Sequence, residues 1–563
     1  MPATPATDFV FRHDRDNDTP ATFAVIGEKD SKPVFSVVVP SAKPQGYSVE
    51  VRWNISQPVR KGDVMLARFA ARAIEARQES GEAAVGFYFQ RATAPFDKCI
   101  ALNVSVAPDW SVFSIPFTAT HDYSPGEAAV YLSFGSLVQT VEITGIDVLN
   151  FQDRARLDQL PVTRFTYAGR EAGAAWREQA LQRIEQIRTA PINIRVTDAS
   201  GRPVPNAKVD ARLVQREFRF GSEVDSEFIQ EQSPDADRYR ALVKELFDTV
   251  TIGNGLKWRP WQNAQRRANA LAALDWLNEQ GLRVRGHTLV WPGWKFTINA
   301  LTNHPDRANQ IAPMVEAHIR EMTSLTRGKI ICWDVVNEPV HETDYFEYVP
   351  REIMARWFQL VREVDPNAEL VINEYGMLNG SGSTTMIARY LELIRFLQER
   401  GAKIDAIGVQ GHVGAQPRAP TAVLSDLDLL AVEKLPIEIT EFDVNTKDEE
   451  LQGDYTRDFL IACYSHPAMR GFVMWGFYEP KHWKPLAAMY RKDWSEKPNL
   501  KAWRDLVLNE WTTRLDTETS DEGRVTARGH KGRYTLNVTS NGQTKSTEFT
   551  LKDGGADVEV KFE

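Results

Sequence analysis

Eight short apolar runs alternate with amphipathic stretches between Phe218 and Pro480. The runs are rich in valine, isoleucine and phenylalanine, as strands are, and the stretches between them space apolar residues about three and four apart, as helices do. Repeated strand-helix units build a parallel sheet, and eight of them close into a (β/α)8 TIM barrel, an α/β fold. The predicted strands are Phe218–Val224, Thr249–Trp258, Arg283–Trp291, Cys332–Pro339, Glu369–Gly376, Ala406–Val413, Ile437–Val444 and Gly471–Pro480, and the predicted helices include Asp235–Phe247, Ala264–Gln280, Ile311–Leu325, Arg351–Val364 and Thr385–Arg400.

The residues before the barrel predict a separate all-β domain. Short alternating runs are separated there by Gly, Pro and Asp, which is typical of an antiparallel β-sandwich of jelly-roll type. The predicted strands are Ser48–Ile55, Val64–Ala71, Ala84–Phe89, Trp110–Phe117, Ala129–Phe134 and Val141–Leu149.

Shorter elements flank the barrel on both sides. A predicted helix, Arg170–Arg188, leads to a strand pair, Ile192–Val196 and Ala207–Val214, which we expect to pack on the barrel. After the barrel, a small β-rich appendage is predicted around the hairpin signal Asn541-Gly542. Its predicted strands are Arg524–Ala527, Gly532–Val538 and Thr547–Leu551. The expected domains are a sandwich over 1–152, a linker helix and strand pair over 153–216, a barrel over 217–508 and an appendage over 509–563.

Composition excludes several classes of partner. The chain has 563 residues, a formal net charge of −9 and a pI near 5.7, and its basic residues do not alternate with aromatics as nucleic-acid binding would need. No uninterrupted apolar run is long enough to cross a bilayer. Cys99, Cys332 and Cys463 are too few and too scattered for a disulfide framework or a zinc site. We therefore expect no nucleic-acid partner, no membrane partner, no cofactor and no metal.

Two glutamates stand where predicted barrel strands end. Glu338 is followed by a proline, and Glu441 lies near the end of the seventh strand. The C-terminal ends of the strands form the active-site face of such a barrel. Two carboxyl groups facing one cleft can cut a glycosidic bond, one protonating the leaving oxygen and the other attacking the sugar. A single strand-end glutamate is often only solvated, and for a third one, Glu374, a structural role is favoured. His341 and Glu342 lack metal-site spacing and are interpreted as loop residues.

Further polar and aromatic residues follow the predicted strands in a fixed order. They are Asn254 and Lys257 after the second strand, His287 and Trp291 in the segment 285–291, Asn337-Glu338-Pro339, Gln410 and His412 in the segment 408–412, Thr440-Glu441-Phe442-Asp443, and finally Trp475 and Trp483. In this order the set resembles glycoside hydrolase family 10, the retaining endo-β-1,4-xylanases, over about half of the chain.

The resemblance implies a role for each of these residues. Glu338 would be the acid/base and Glu441 the nucleophile, with Asp443 supporting it. The other matched residues would bind substrate: Asn254, Lys257, His287, Trp291, Asn337, Gln410, His412, Trp475 and Trp483. It also implies a polysaccharide substrate, a monomer, and a secreted or periplasmic location, although residues Met1 to Thr7 lack the charged and apolar regions of a signal peptide.

The sequence departs from the family beside the second predicted strand. Where such xylanases read Glu-Asn-Glu-Met-Lys-Trp, this chain has Gly253 and Gly255 in place of both glutamates, and Pro292 replaces a usual histidine. Loss of the carboxylate at Gly253 would leave space for a branch, which favours decorated xylan. Two alternatives remain open at this point: a retaining β-glycosidase acting on another β-linked glycan, and a non-catalytic glycan-binding protein.

The role of the N-terminal sandwich also stays open. Its aromatics mostly alternate or cluster as core residues do, so sugar binding, as by a carbohydrate-binding module, and a purely structural role are both compatible with the pattern. These aromatics include Trp53, Phe87, Tyr88, Phe89, Trp110 and Phe113.

Overall fold

The computed structural model describes residues 6–13, 20–43, 45–78, 80–378 and 383–563. It divides into two compact units. The first runs up to Tyr167 and includes Val413–Arg418 and a short piece that ends at Ser383, and the second holds the rest. None of the helices in these ranges is both long and apolar enough to span a bilayer. Most of the segment considered for a leader, residues 1–5, lies outside the described residues.

The first unit is a β-sandwich of two five-stranded antiparallel sheets, as predicted. One sheet has the order β1-β4-β9-β6-β7 and the other the order β2-β3-β10-β5-β8. Four strands that the sequence pattern missed, β1, β2, β3 and β7, complete the sheets. The strands are β1 Val10–His13, β2 Thr22–Lys29, β3 Lys32–Val39, β4 Val49–Asn54, β5 Val64–Ala76, β6 Ala83–Arg91, β7 Lys98–Val106, β8 Ser111–Thr118, β9 Ala128–Ser133 and β10 Gln139–Gln152.

Aromatic side chains fill the interior of this sandwich. On β4 every second residue faces inward, and Trp53 is fully buried there with its ring edge-on to Phe35 at a centroid distance of 5.5 Å. Phe87 and Phe89 on β6 are buried in the same core. Trp110 is only half-buried and lies under the guanidinium of Arg72. Most of the aromatics considered for sugar binding therefore hold the two sheets together.

We expect Trp53→Ala to destabilise the first unit by about 3–5 kcal/mol, because it empties the centre of a close-packed core. Trp110→Ala is the matched control and should cost less, since its ring is already half in water. Calorimetric unfolding of the full chain, in which the two units can melt separately, measures both. Equal melting temperatures for Trp53→Ala and the wild type would show that Trp53 is not a core residue.

In the second unit a helix and two strands precede the barrel. They are α1 Ala175–Arg188, β11 Thr189–Thr197 and β12 Lys208–Arg216. Arg177 on α1 forms an ion pair of 2.7 Å with Asp458, whose side chain is fully buried on a barrel helix. At the end of α1, Arg188 donates hydrogen bonds of 2.8 Å to the backbone carbonyls of Tyr464 and Met469. The linker helix is thus fixed to the barrel by buried arginines.

Eight parallel strands of the described chain close into the predicted barrel. Each strand pairs with the next, β18 pairs with β20, and β21 pairs with β13 to close the ring. The strands are β13 Arg219–Val224, β14 Thr249–Ile252, β15 Arg283–Gly286, β16 Cys332–Asn337, β17 Glu369–Glu374, β18 Ala406–Val409, β20 Ile437–Val444 and β21 Met469–Met474, with the two-residue strand β19 His412–Val413 after β18. The helices are α2 Ser226–Gln230, α3 Pro234–Leu246, α4 Trp258–Trp261, α5 Ala264–Glu279, α6 Asn299–Thr302, α7 Arg307–Thr326, α8 Ile353–Val364, α9 Ser383–Glu399, α10 Pro420–Leu430, α11 Glu449–Ser465 and α12 Pro498–Trp503.

Several strands end earlier than the sequence pattern suggested. β14 ends at Ile252 instead of Trp258, and β15 ends at Gly286 instead of Trp291. The apolar residues beyond these ends belong to loops and to the short helix α4, at the barrel face where the active site of this fold lies. A run of apolar letters cannot separate the end of a buried strand from the start of a buried loop.

The strands that precede the barrel in the sequence and the strands that follow it together form one β-sandwich. After the barrel come β22 Arg514–Glu518, β23 Arg524–His530, β24 Gly532–Ser540, β25 Gln543–Leu551 and β26 Ala556–Lys561. One sheet has the order β23-β11-β26 and the other β22-β12-β24-β25, and both bury side chains in one core. The hairpin predicted at Asn541-Gly542 joins β24 to β25. The strand pair and the appendage were expected as separate pieces, and the sheet pairing corrects this.

Candidate active site

Both predicted catalytic glutamates lie at the barrel mouth. Glu338 directly follows β16, and Glu441 lies in the C-terminal half of β20. Their side chains are buried, with 5% and 4% of the residue surface exposed. Strands four and seven of the ring thus bring the two carboxyl groups to one face of the barrel, where active sites of this fold lie.

A chain of amide side chains connects the two carboxyl groups. Asn337 Nδ2 donates to Glu338 Oε1 at 3.2 Å, and Asn337 Oδ1 accepts from Asn373 Nδ2 at 2.9 Å. Asn373 Nδ2 also donates to Glu441 Oε1 at 2.9 Å, and Thr440 Oγ1 fixes the orientation of this amide by donating to Asn373 Oδ1 at 2.7 Å. Because every member of this chain is held by its neighbours, the two carboxyl groups are fixed relative to each other.

Glu338 is also held from outside this chain. Trp291 Nε1 donates to Glu338 Oε2 at 3.0 Å, and Gln410 Nε2 donates to Glu338 Oε1 at 2.7 Å. The backbone of Glu338 has a φ of +56°, which a residue with a side chain adopts at some cost. A bulge in the pairing of β16 with β17, between Asp334 and Val336, shifts the strand just before this point. Strain of this kind is concentrated at functional sites.

The two carboxyl groups differ in protonation. Burial raises the pKa of Glu338 well above its usual value, and the negative charge of Glu374 raises it further. Burial acts in the same direction on Glu441, but positive charge at His287 and His412 and at Lys257 outweighs it and holds the pKa of Glu441 below its usual value. The surroundings therefore favour the protonated form of Glu338 and the ionised form of Glu441.

His412 is the cation closest to the carboxylate of Glu441 in the hydrogen-bond network. Its Nε2 lies 3.3 Å from Glu441 Oε2, and its Nδ1 lies 3.1 Å from Asp443 Oδ1. Burial opposes the charge on His412, yet the two carboxylates raise its pKa to about 10. Asp443 in turn accepts a hydrogen bond of 2.6 Å from Trp483 Nε1. The imidazolium therefore stays charged and binds the nucleophile.

His287 is part of a buried network of charged side chains. Its Nδ1 lies 2.9 Å from Asp334 Oδ2, and Asp334 Oδ1 accepts from Arg285 Nη2 at 3.0 Å. Arg285 Nε donates to Glu438 Oε2 at 3.2 Å, and Glu438 also accepts from Arg219 at 2.7 Å. Arg285, Asp334 and Glu438 are each about 1% exposed. Buried charges at this depth are stable only when each has partners of opposite sign.

The residues predicted to bind sugar fall into two groups. One group lies in the loops after β14 and β15, and the other is an aromatic wall, Trp475 and Trp483, after β21. Lys257 Nζ donates to Asn254 Oδ1 at 3.1 Å and lies 5.4 Å from the centre of the Trp291 ring. Lys257 and Trp291, together with Phe296, line a pocket of about 240 Å³. The Phe296 ring is stacked on Trp291 with centroids 3.4 Å apart, and no sequence signal had pointed to this residue.

The aromatic wall contains one exposed and one buried tryptophan. Trp483 is 43% exposed, and its hydrogen bond to Asp443 fixes the ring, which makes it suitable as a platform for a sugar. Trp475 is 8% exposed and packs edge-on to His287 at 5.1 Å. Trp258 and Trp261 are buried and belong to the packing of the barrel.

The expected gap at Gly253 is absent, so this expectation was wrong. A Cβ at Gly253 would overlap Oε1 of Glu223 and lie 2.6 Å from its Cγ, so the Glu223 side chain already occupies the space. At Gly255 a Cβ would lie 2.9 Å from Cβ of Ala270 on α5, and a side chain there would collide. Both glycines are required by close packing.

Two further residues of the site were missed or assigned a lesser role. Asn373 donates to Glu441 and to Asn337, which in turn donates to Glu338, although the sequence had marked Asn373 only as the neighbour of Glu374. Glu374 itself is fully buried and accepts from the backbone N–H of Val340 at 2.8 Å, and His341 Nδ1 lies 2.8 Å from it. These contacts agree with the structural role predicted for Glu374, which holds the loop after β16.

Comparison with known proteins connects this geometry to a family. The sequence profile of Glycosyl hydrolase family 10 matches residues 210–506, which include all of the residues above. The chain belongs to glycosyl hydrolase family 10. The residues predicted for the site all lie in the second compact unit of this family-10 chain.

Curated relatives share the family-10 barrel and extend beyond it. Anti-sigma-I factor RsgI6 of Acetivibrio thermocellus is 29% identical over 383 residues, which cover 66% of this chain and 48% of that protein. Endo-1,4-beta-xylanase 2 of Arabidopsis thaliana is 28% identical over 363 residues, which cover 63% of this chain and 33% of that protein. This chain thus spans half or less of the length of both. Among solved structures, xylanase 10B from Thermotoga petrophila RKU-1 in complex with xylobiose matches with a TM-score of 0.47 and 23% identity, over 52% of this chain and 95% of that one.

In this family-10 barrel we expect Arg285→Met to lower the free energy of unfolding by about 3–5 kcal/mol, because it leaves the buried Asp334 and Glu438 short of positive charge. Arg283→Met is the matched control on the same strand. Its side chain is partly exposed and paired with Asp248, so its loss should cost less. Urea unfolding of both variants measures the difference. A cost for Arg285→Met no larger than for Arg283→Met would contradict the role of the network.

Proposed function

We propose that this protein is a retaining endo-β-1,4-xylanase, which cleaves internal bonds of the xylan backbone by double displacement. The observation that carries the proposal is the pair of buried carboxyl groups with opposite pKa shifts, joined through Asn337 and Asn373. Two carboxyl groups in environments that push their pKa values apart are the pattern of an acid and a nucleophile.

The first step would form a glycosyl-enzyme ester. The ionised Glu441 attacks the anomeric carbon while the protonated Glu338 gives its proton to the leaving oxygen. His412 is charged and lies 3.3 Å from Glu441 Oε2, so it orients the nucleophile and weakens its hold on a proton. Asn337, beside the acid, is placed to bind a sugar hydroxyl more tightly in the transition state than in the ground state.

The second step would hydrolyse the ester with retention of configuration. Once Glu441 is esterified its negative charge is lost, and this charge is one of the causes that keep the pKa of Glu338 high. The pKa of Glu338 therefore falls as the intermediate forms, and the same residue can take a proton from the incoming water. One carboxyl group thus acts first as acid and then as base.

The substrate is inferred from the family and from the named relatives. Membership in family 10 supports glycoside hydrolysis, and several relatives are named endo-1,4-beta-xylanases. Gln410 Oε1 is a buried acceptor without a hydrogen-bond donor among the described residues, so it is available to a sugar hydroxyl. The preference for decorated xylan loses its basis because Glu223 fills the space at Gly253. We further propose that the protein is a secreted or periplasmic monomer.

A second candidate is a glycan-binding protein without turnover, and the name of one relative, an anti-sigma factor, keeps it open. Release of reducing sugar from xylan, arabinoxylan, β-glucan and mannan separates these candidates. Proton NMR of the first product then reports its anomeric configuration. Xylan hydrolysis with release of the β-anomer supports the proposal. Binding without release supports the second candidate, and hydrolysis of another glycan alone corrects the substrate.

We expect Glu441→Ala to abolish turnover of every substrate, because no covalent intermediate can form without the nucleophile. Glu338→Ala should lose activity on xylan but retain the first step with aryl glycosides whose leaving group needs no proton. Burst kinetics with an activated aryl xylobioside measure this difference, and circular dichroism checks the fold. More than a trace of activity in a folded Glu441→Ala variant would refute the assignment.

The pH dependence of activity should reflect the opposite pKa shifts of Glu338 and Glu441. Glu338 is active when protonated and its pKa is raised, so kcat/KM on xylan should fall as pH rises through that value. Glu441 is active when ionised and its pKa is lowered, so the acid limb should lie below the usual glutamate pKa. With the activated aryl xylobioside, Glu338→Ala should lose the alkaline limb and keep the acid one. An alkaline limb that persists in this variant would mean that another group supplies it.

A further inference from the structure

Glu223 is a buried carboxyl group at the barrel mouth that the catalytic steps do not use. It is the last residue but one of β13 and is 8% exposed. Its side chain lies between the ends of two other strands. A Cβ at Gly253, after β14, would overlap Oε1, and a Cβ at Gly476, after β21, would lie 3.4 Å from Oε2. Glycine at position 253 makes room for this carboxyl group, and Gly476 lies in ordinary contact with its other oxygen.

No described residue donates a hydrogen bond to the Glu223 carboxyl group. A largely buried carboxyl group without a hydrogen-bond donor lowers stability and needs an explanation. Neither oxygen of Glu223 is among the fully enclosed side-chain atoms of the described residues that lack a partner, so both keep some solvent-accessible surface. Lys257 and Glu441 interact electrostatically with Glu223, and these two residues belong to the active site. Burial raises the pKa of Glu223 to about 8, and the charges of Asp225 and Glu441 contribute to this. A group placed here is accounted for by a ligand that enters the cleft.

Resting on the proposed function, we infer that Glu223 binds the hydroxyls of the xylan chain on the non-reducing side of the cleaved bond. The carboxyl group interacts electrostatically with Lys257, whose Nζ donates to Asn254 Oδ1, and both of these residues were predicted to bind sugar on the non-reducing side. Adjacent equatorial hydroxyls of a β-linked pyranose match the two oxygens of one carboxyl group. Strand β13 thus supplies a sugar ligand that no motif of the sequence marked.

The inference predicts that one substitution at Glu223 raises thermal stability and weakens sugar binding. Glu223→Ala removes an unpartnered buried carboxyl group, so the free protein should melt at a higher temperature than the wild type, while function is lost. Glu374→Ala is the matched control. It removes a carboxyl group that is equally buried but hydrogen-bonded, so it should melt at a lower temperature.

Kinetics with an activated aryl xylobioside test the contact itself, because both of its sugars lie on the non-reducing side. Glu223→Ala should lower kcat/KM roughly ten- to a hundred-fold, as expected for the loss of a strong hydrogen bond to a charged or acidic group. Gly253→Glu alone should be damaging, because its side chain collides with Glu223. The double variant Glu223→Ala/Gly253→Glu places a carboxylate on the neighbouring strand, and it should recover part of the lost efficiency.

An unchanged kcat/KM in a folded Glu223→Ala variant, or a lower melting temperature for this variant, would overturn the inference. A wild type that hydrolyses no glycan would instead defeat the proposed function. In that case the melting temperatures still decide whether Glu223 is a ligand-binding or a structural residue. A raised melting temperature retains it as a binding residue, and a lowered one makes it structural.

Discussion

The barrel mouth is organised by the requirement that, of two buried carboxyl groups in one hydrogen-bond chain, one favours the protonated form and the other the ionised form. Burial alone would protonate both, since it disfavours the ionised form of each. At Glu441 this effect of burial is outweighed by electrostatic interactions with His287, His412 and Lys257, which hold its pKa below the usual value, and the two imidazoles lie against Asp334 and Asp443. The buried ion network inside the barrel is therefore part of the same requirement, and it lies beneath the site for this reason.

The barrel, and the position of two glutamates at its mouth, could be predicted from the sequence because both depend on local signals. A buried strand gives an apolar run, and a carboxyl group that must face the cleft follows the end of such a run, as Glu338 does. The errors of the prediction lie at the same strand ends. Beyond Ile252 most residues up to Trp258 are buried although they lie outside the strand, so the strand appeared to continue to Trp258.

Features that depend on distant pairing could not be predicted. β11 pairs in parallel with β26, so Ile192 lies opposite Ala556 with the whole barrel between them in the sequence. Asn373 was overlooked for a related reason. Its value lies in bridging Asn337 and Glu441 on two other strands, and nothing in its own strand signals this. Glu223 shares its short strand with Arg219 and Ser222, so nothing in the sequence singled it out, and its role depends on its packing against Gly253.

The protonation of Glu223 explains how a further carboxyl group can lie near the nucleophile without disabling it. An ionised neighbour would raise the pKa of Glu441 and so oppose the charge that the first step needs. With its own pKa near 8, Glu223 is mainly neutral below that pH. In this form it can donate one hydrogen bond to a sugar hydroxyl and accept another, whereas a carboxylate can only accept. In its proposed role, a neutral carboxyl group on β13 contacts the sugar, while the pKa of Glu441 is still set by its cationic neighbours.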